Sequence, residues 1–298
     1  MSSEEQEWIE QPGGWDGDQV ETLDGTVWVE KIENNDTDTN ADDDDDDDYQ
    51  NPPGFDLFGN DTSEDTFPFH VSLPDGTSVH LELEGFRLDT DEAAQSTGVT
   101  LWKAAPRLAE YLVAERQSLV VEKSVLELGA GLGLCGMVAH HLGATRVLLT
   151  DADTITLQRM RANLETNCPN NNREANGNEN GKGDCSVKTI AVQQLIWNNI
   201  DQMERCGTFD TILGADVIYA ISSLAPLFDT VAFLLGKDDG DASPRRDRTF
   251  VLSRYCKWGN ISDETVLEAA SARNLTWTHP SEGIYVFRLR EGEEEQEE

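Results

Sequence analysis

The sequence predicts an α/β fold, doubly wound around a mostly parallel sheet and preceded by a β-hairpin. Three observations carry this reading. Apolar runs of strand length alternate with helix-length segments from Val125 to Leu289. One strand-to-helix junction in that series is rich in glycine. Upstream, Pro74-Asp75-Gly76 separates two stretches whose apolar residues alternate with period two.

Order is expected from about Phe67. The hairpin is His70-Val-Ser-Leu against Ser78-Val-His-Leu-Glu-Leu. From Val99 to Leu112 the spacing turns helical, with Leu101, Ala105, Leu108, Ala109 and Leu112 on one side. Val125 to Leu128 is a strand, Leu134 to Leu142 a helix, Arg146 to Thr150 a second strand, and Asp153 to Asn167 a helix. The Asn/Gly-rich stretch from Cys168 to Cys185 reads as an inserted loop. Strands follow at Val187–Val192 and Phe209–Ala215, then a helix at Ser222–Leu235 and a polar loop at 237–247. Thr249–Ser253 is a strand, Asp263–Arg273 a helix and Ile284–Leu289 a closing strand. Alternating units of this kind cover a parallel sheet on both faces, so residues 67–290 form one domain.

The charge lies outside that domain. The 298 residues carry a net −36; residues 1–66 account for −22 and residues 291–298 for −6, which leaves −8 to the middle section. The acidic amino-terminal segment, with its unbroken run Asp42–Asp48, lacks the apolar content to offset its chain entropy and is expected to be disordered. Trp8-Ile9 and Val27-Trp28-Val29 are small apolar islands within it. Such a charge balance excludes generic affinity for nucleic acid. No apolar run is long enough to cross a bilayer. The first residues have no basic or apolar segment of the kind found in leader peptides. Cys135, Cys168, Cys185, Cys206 and Cys256 are odd in number and form no CxxC pair, so they read as free thiols of a cytoplasmic or nuclear protein. The five histidines show no metal-ligand spacing, and no metal is expected.

The chemistry concentrates at Glu127-Leu-Gly129-Ala130-Gly131-Leu-Gly133, which leaves a strand and enters a helix. Glycines there open backbone angles closed to other residues and let a ligand approach the chain. The next strand ends at Thr150-Asp151, where a carboxylate can accept hydrogen bonds from two ribose hydroxyls. Together these point to a nucleoside cofactor. The spacing is GxGxG rather than the dinucleotide GxGxxG, and the P-loop Lys-Ser/Thr is absent. Glu127 would repel a pyrophosphate but suits a cofactor with an ammonium group. S-adenosylmethionine has both an amine and a sulfonium.

These residues resemble motif I of the class I, seven-strand, Rossmann-like S-adenosylmethionine-dependent methyltransferases. Four further features are similar to methyltransferase family 16, a group of mostly protein-lysine methyltransferases. They are Gly98-Val-Thr-Leu-Trp102-Lys-Ala-Ala105, Thr150-Asp151 with Asn163 and Asn167, Leu195-Ile-Trp197, and Ala215-Asp216-Val-Ile-Tyr219. The resemblance covers residues 67–290. It implies a cofactor pocket lined by Trp102, Gly129, Ala130, Gly131, Gly133, Asp151, Trp197 and Ala215. Glu127 would face the methionine amine, Trp197 would flank the adenine and Trp102 would cover the methionine side. On residue type alone, both tryptophans read as core.

The resemblance further implies that Asp216 holds an incoming amine and that Tyr219 adds a polar and aromatic contact. The competing reading makes Asp216 a helix cap with Tyr219 packed beneath it. Arg254-Tyr255-Cys-Lys-Trp258, after the fifth strand, is a further candidate for substrate contact. The expected partner is a protein carrying the acceptor lysine. The acidic ends favour a basic one, such as a translation or ribosomal factor. A small-molecule N-methyltransferase and a non-catalytic cofactor-binding scaffold are the alternatives, because a fold does not fix a substrate.

Overall fold

The computed structural model describes residues 20–21, 26–27, 64–73, 75–169, 188–238, 248–255 and 261–290. The acidic run at 42–48, the Trp8-Ile9 island, Trp28, Cys185, Cys256, Lys257, Trp258, the tail 291–298 and most of both polar loops lie outside them. In the segment expected to carry no structure, β1 (Val20–Glu21) and β2 (Thr26–Val27) pair antiparallel.

The hairpin is β3 (Glu64–Ser72) and β4 (Ser78–Phe86), both longer than expected. Phe67, Phe69 and Val71 pair with Leu83, Leu81 and Val79, so one face is continuously apolar and buried. Asp75 sets the turn, its Oδ1 accepting from the Thr77 N–H. Two strands alone would leave exposed edges and an open apolar face. Here the face packs into the same core as the helices α2, α4 and α5 defined below.

After the hairpin come α1 (Asp91–Gln95), a single 3₁₀ turn (Thr97–Val99), α2 (Ala104–Ala114) and α3 (Arg116–Leu119). The helix expected from Val99 starts five residues later. Pro106 explains the boundary: it has no N–H to donate, and in the third helical position none is required. Trp102 therefore sits on the strap before α2 rather than on the helix.

The main sheet comprises β5 (Ser124–Leu128), β6 (Arg146–Asp151), β7 (Thr189–Gln194), β8 (Thr211–Ala215), β9 (Thr249–Ser253), β10 (Leu275–Ser281) and β11 (Ile284–Leu289), in the order β10-β11-β9-β8-β5-β6-β7. The pairs among β5 to β9 are parallel, and β11 and β10 join antiparallel. α2, α4 (Leu134–Leu142) and α5 (Thr154–Asn167) share a core on one face. α6 (Ile200–Cys206), α7 (Ile221–Gly236) and α8 (Asp263–Ser271) bury theirs on the other. Strand order reverses at β5, between β6 and β8. The carboxyl ends of β5 and β8 thus open on the crevice where α/β sheets bind ligands.

Two asparagines fasten the hairpin to this body. Asn163 Oδ1 accepts from Glu84 N–H, and its Nδ2 donates to the carbonyls of Glu84 and Leu132. Asn167 repeats the pattern one turn later on Glu82. Their amides complete the free edge of β4 as a neighbouring strand would. The described cysteines, Cys135, Cys168 and Cys206, are buried free thiols. No helix among the described residues is long and apolar enough to cross a membrane.

Candidate active site

The turn from β5 to α4 is shaped by glycine. Gly129 and Gly131 have φ of +59° and +54°. A Cβ on Gly129 would meet Val217 Cγ1 at 2.9 Å and Trp197 at 3.6 Å, and one on Gly131 would lie 3.2 Å from the Gly98 carbonyl. Left-handed geometry and crowding together exclude larger residues. The same contacts locate the neighbours. Trp197 and the β8 turn lie on one side of the glycines, and the strap before α2 lies on the other.

The turn's amides are largely spent. Ala130 N–H donates to the Thr150 carbonyl, Gly133 N–H to Ala130, and Gly131 N–H to Asp151 Oδ2 at 3.3 Å. A pyrophosphate needs a ring of free donors here. This turn presents few, with carboxylates beneath and beside it. The arrangement fits a nucleoside cofactor without phosphate and with a cationic end, as S-adenosylmethionine has.

Asp151 ends β6 with its carboxylate held by Gly131 N–H and Asp153 N–H. Burial pushes its pKa up, against these bonds. Each oxygen keeps a lone pair for a further donor. Trp197 is half-buried. Asn198, at φ +64°, bends the chain after it and donates its N–H to Thr230 Oγ1. Trp102 is also half-buried, and its Nε1 donates to the Thr97 carbonyl, which pins the indole to the strap.

Glu127 points inward from the strand. Side chains alternate along β5, so Val125 and Glu127 point toward α4 while Leu126 and Leu128 point to the other face. The side chain is 2 % exposed and its Oε2 accepts from Gly136 N–H at 2.7 Å, in the first turn of α4. Gly133, the residue at that helix's cap position, has no side chain to offer, and Glu127 does the capping from below. Burial raises its pKa to about 7, partly offset by the Gly136 bond. It lies beneath the turn, against the first turn of α4.

At the end of β8, Ala215 is half-buried and Asp216 turns to φ +49°. A non-glycine residue in this region is strained unless its surroundings hold it. Its N–H donates to the Ser253 carbonyl, and its Oδ1 accepts from Tyr255 N–H at 2.7 Å. The capping alternative fails: α7 begins at Ile221, five residues on, and its cap position is Ala220 with no side-chain bond. Nor does Tyr219 pack beneath the helix, being 61 % exposed.

Arg254 is buried and structural. Its guanidinium pairs with Asp263 and donates to the Ile261 carbonyl. Tyr255 is 47 % exposed beside Asp216. Sequence reasoning missed Ser96, Asp153 and Thr156. Ser96 Oγ bonds Asp153 Oδ2, and Asp153 caps α5 through Thr156 N–H. This cluster ties the strap region to the helix that follows Asp151. An acid ahead of a helix was a readable cap signal; its distant partner was not.

A family model described as lysine methyltransferase matches residues 82–241. Among curated relatives, the protein N-lysine methyltransferase METTL21A of Xenopus tropicalis is 36% identical over 56% of this chain and 67% of its own length. METTL21A of Danio rerio is 32% identical over 51% of this chain and 62% of its own. The protein N-terminal and lysine N-methyltransferase efm7 of Neurospora crassa is 27% identical over 69% and 68%. The matches thus span about two thirds of these relatives.

Proposed function

The chain belongs to the lysine methyltransferase family, and on that premise we propose that it uses S-adenosylmethionine to methylate a lysine side chain of another protein. The observation that carries the proposal is Asp216. Its carboxylate is held in a strained backbone at the carboxyl end of β8, beside the glycine turn, by the Tyr255 N–H. Gly129, Ala130, Gly131 and Gly133 form the floor for the cofactor. Asp151 takes the ribose hydroxyls, Trp197 flanks the adenine, and Trp102 and Ala215 close the methionine side. When bound there, S-adenosylmethionine supplies a methyl group already activated by its positive sulfur.

The protein's remaining work is orientation and exclusion of water. A lysine arrives as an ammonium with an ordinary pKa of about 10.4, and only the neutral amine attacks. Asp216 accepts a hydrogen bond from that nitrogen and aligns its lone pair, and the excess proton leaves to solvent. A nearby carboxylate raises an amine's pKa, so Asp216 orients more than it deprotonates. Tyr219, exposed at the mouth, gives the side chain an aromatic wall. The acidic ends favour a basic partner at long range, a translation or ribosomal factor being of suitable charge, and the free thiols suit a cytoplasmic or nuclear setting.

The test is transfer of labelled methyl in a cell extract separated into macromolecular and small-molecule fractions, with wild type and Asp216→Ala side by side. A discrete protease-sensitive band that vanishes with Asp216→Ala is the expected result. Label confined to small molecules would replace the proposal with a small-molecule methyltransferase. Cofactor binding with no transfer at all would leave a scaffold.

A further inference from the structure

Beside Asp216 lies a group of residues that the reaction outlined above does not use. Tyr255 lies two residues past the end of β9, and its N–H holds the Asp216 carboxylate. Two cations flank its exposed ring: Lys103 Nζ is 5.5 Å from the centroid and the Arg107 guanidinium carbon 5.0 Å. Lys103 is the cap residue of α2 and Arg107 sits four positions on, so both project from one face.

The arrangement is electrostatically unfavourable three times over. Like charges four apart on a helix repel. Lys103 stands at the positive end of the α2 dipole. Among the described residues neither cation has an ion-pair partner; Arg107 has only the Glu282 carbonyl, at 3.4 Å. The nearest acid on the same helix, Glu110, is half-buried; burial raises its pKa to about 7 while the Arg107 charge pulls it back down, so it balances Arg107 only in part. Among the described residues the mouth thus carries two cations that form no ion pair within 4 Å. A lysine entering alone would be repelled by them, and a carboxylate beside it would be attracted.

We propose that Lys103 and Arg107, braced on Tyr255, receive an Asp or Glu carboxylate of the substrate protein lying next to the acceptor lysine. This rests on the protein-lysine reading of the site. An acid two residues away in an extended segment is displaced by about 7 Å, and one three or four positions away on a helix by about 6 Å. Either reaches the rim while the lysine reaches Asp216. The cations then select, by contact, a lysine with an acidic neighbour, whatever the overall charge of the protein that bears it.

The experiment uses the full chain, labelled S-adenosylmethionine and cell extract. The labelled lysines are located by mass spectrometry, and the leading substrate is then purified. Wild type is compared with the double variant Lys103→Glu, Arg107→Glu and with the milder Lys103→Gln, Arg107→Gln. Acidic residues are expected next to the labelled lysines. With cofactor affinity and melting temperature kept, charge reversal is expected to lower kcat/KM roughly tenfold or more, and the neutral pair by less. Replacing the substrate's acid with lysine should cripple the wild type and partly rescue the reversed variant. Equal activity of all three enzymes would overturn the inference. So would loss of cofactor affinity in the neutral pair, which would assign the cations to the cofactor's own carboxylate. If the wild type labels no protein, the protein-lysine reading itself falls, and this inference with it.

Discussion

Glu127→Gln isolates a buried charge whose cost can be worked out. In the cofactor-free protein the Glu127 carboxyl is 2 % exposed, accepts one backbone N–H and titrates near 7 instead of 4.5. Between those values the folded protein keeps a proton that the unfolded chain has lost, so its stability falls as pH rises through the window. The full penalty, reached above pH 7, is about 3 kcal/mol. Glutamine retains an oxygen for Gly136 N–H and cannot ionise. Urea unfolding of both proteins, followed by tryptophan fluorescence, gives the difference in stability at each pH. The variant's stability relative to wild type is expected to climb by about 3 kcal/mol from pH 4.5 to 8 and then level off. Glu110, also shifted up, and His140, shifted down to about 4, titrate in both proteins and cancel in the difference. A difference that stays flat across this range would refute the buried, raised carboxyl; one that falls would mean that Glu127 is stabilised as an anion.

Asn163→Ala removes three hydrogen bonds to the backbone of Glu84 and Leu132, and should cost about 2–3 kcal/mol in unfolding experiments, with faster amide exchange along β4. Gly129→Ala forces a Cβ against Val217 at a left-handed position; a stability loss of about 1–2 kcal/mol and weaker cofactor binding by calorimetry are expected, and unchanged binding would separate the turn from the cofactor. Asp216→Asn keeps an acceptor for Tyr255 N–H, so cofactor affinity should hold while kcat falls about a hundredfold. A parallel loss of affinity would move Asp216 into cofactor binding.

The parallel core was legible because its strands are continuous apolar runs bounded by caps and glycines. Besides α1, α3 and the short β1–β2 pair, one strand of the main sheet and one helix covering it escaped. β10 is nearly all exposed beyond Leu275 and contains Pro280, so as an edge strand it shows no buried alternation. α6 buries only Met203 and Cys206, too few for a helical period; its cap, Asn199, was the available signal. In the site, the glycine turn and the ends of β6 and β8 were readable from local residue order. The inward direction of Glu127 follows from period two once β5 is paired, but which face carries α4 is a tertiary fact. The same holds for the Tyr255 N–H on Asp216 and for Lys103 and Arg107 beside Tyr255. These link residues 39 to 152 positions apart and leave no local pattern.

The central claim is that the methyl group goes to a lysine nitrogen aligned by Asp216. It is tested most directly by hydrolysing the labelled protein fraction to amino acids and separating the methylated species. Label that co-migrates with methyl-lysine, reduced about a hundredfold when the enzyme is Asp216→Asn, is the expected result. Label on arginine, histidine or a carboxyl ester, or equal yield from Asp216→Asn, would contradict it.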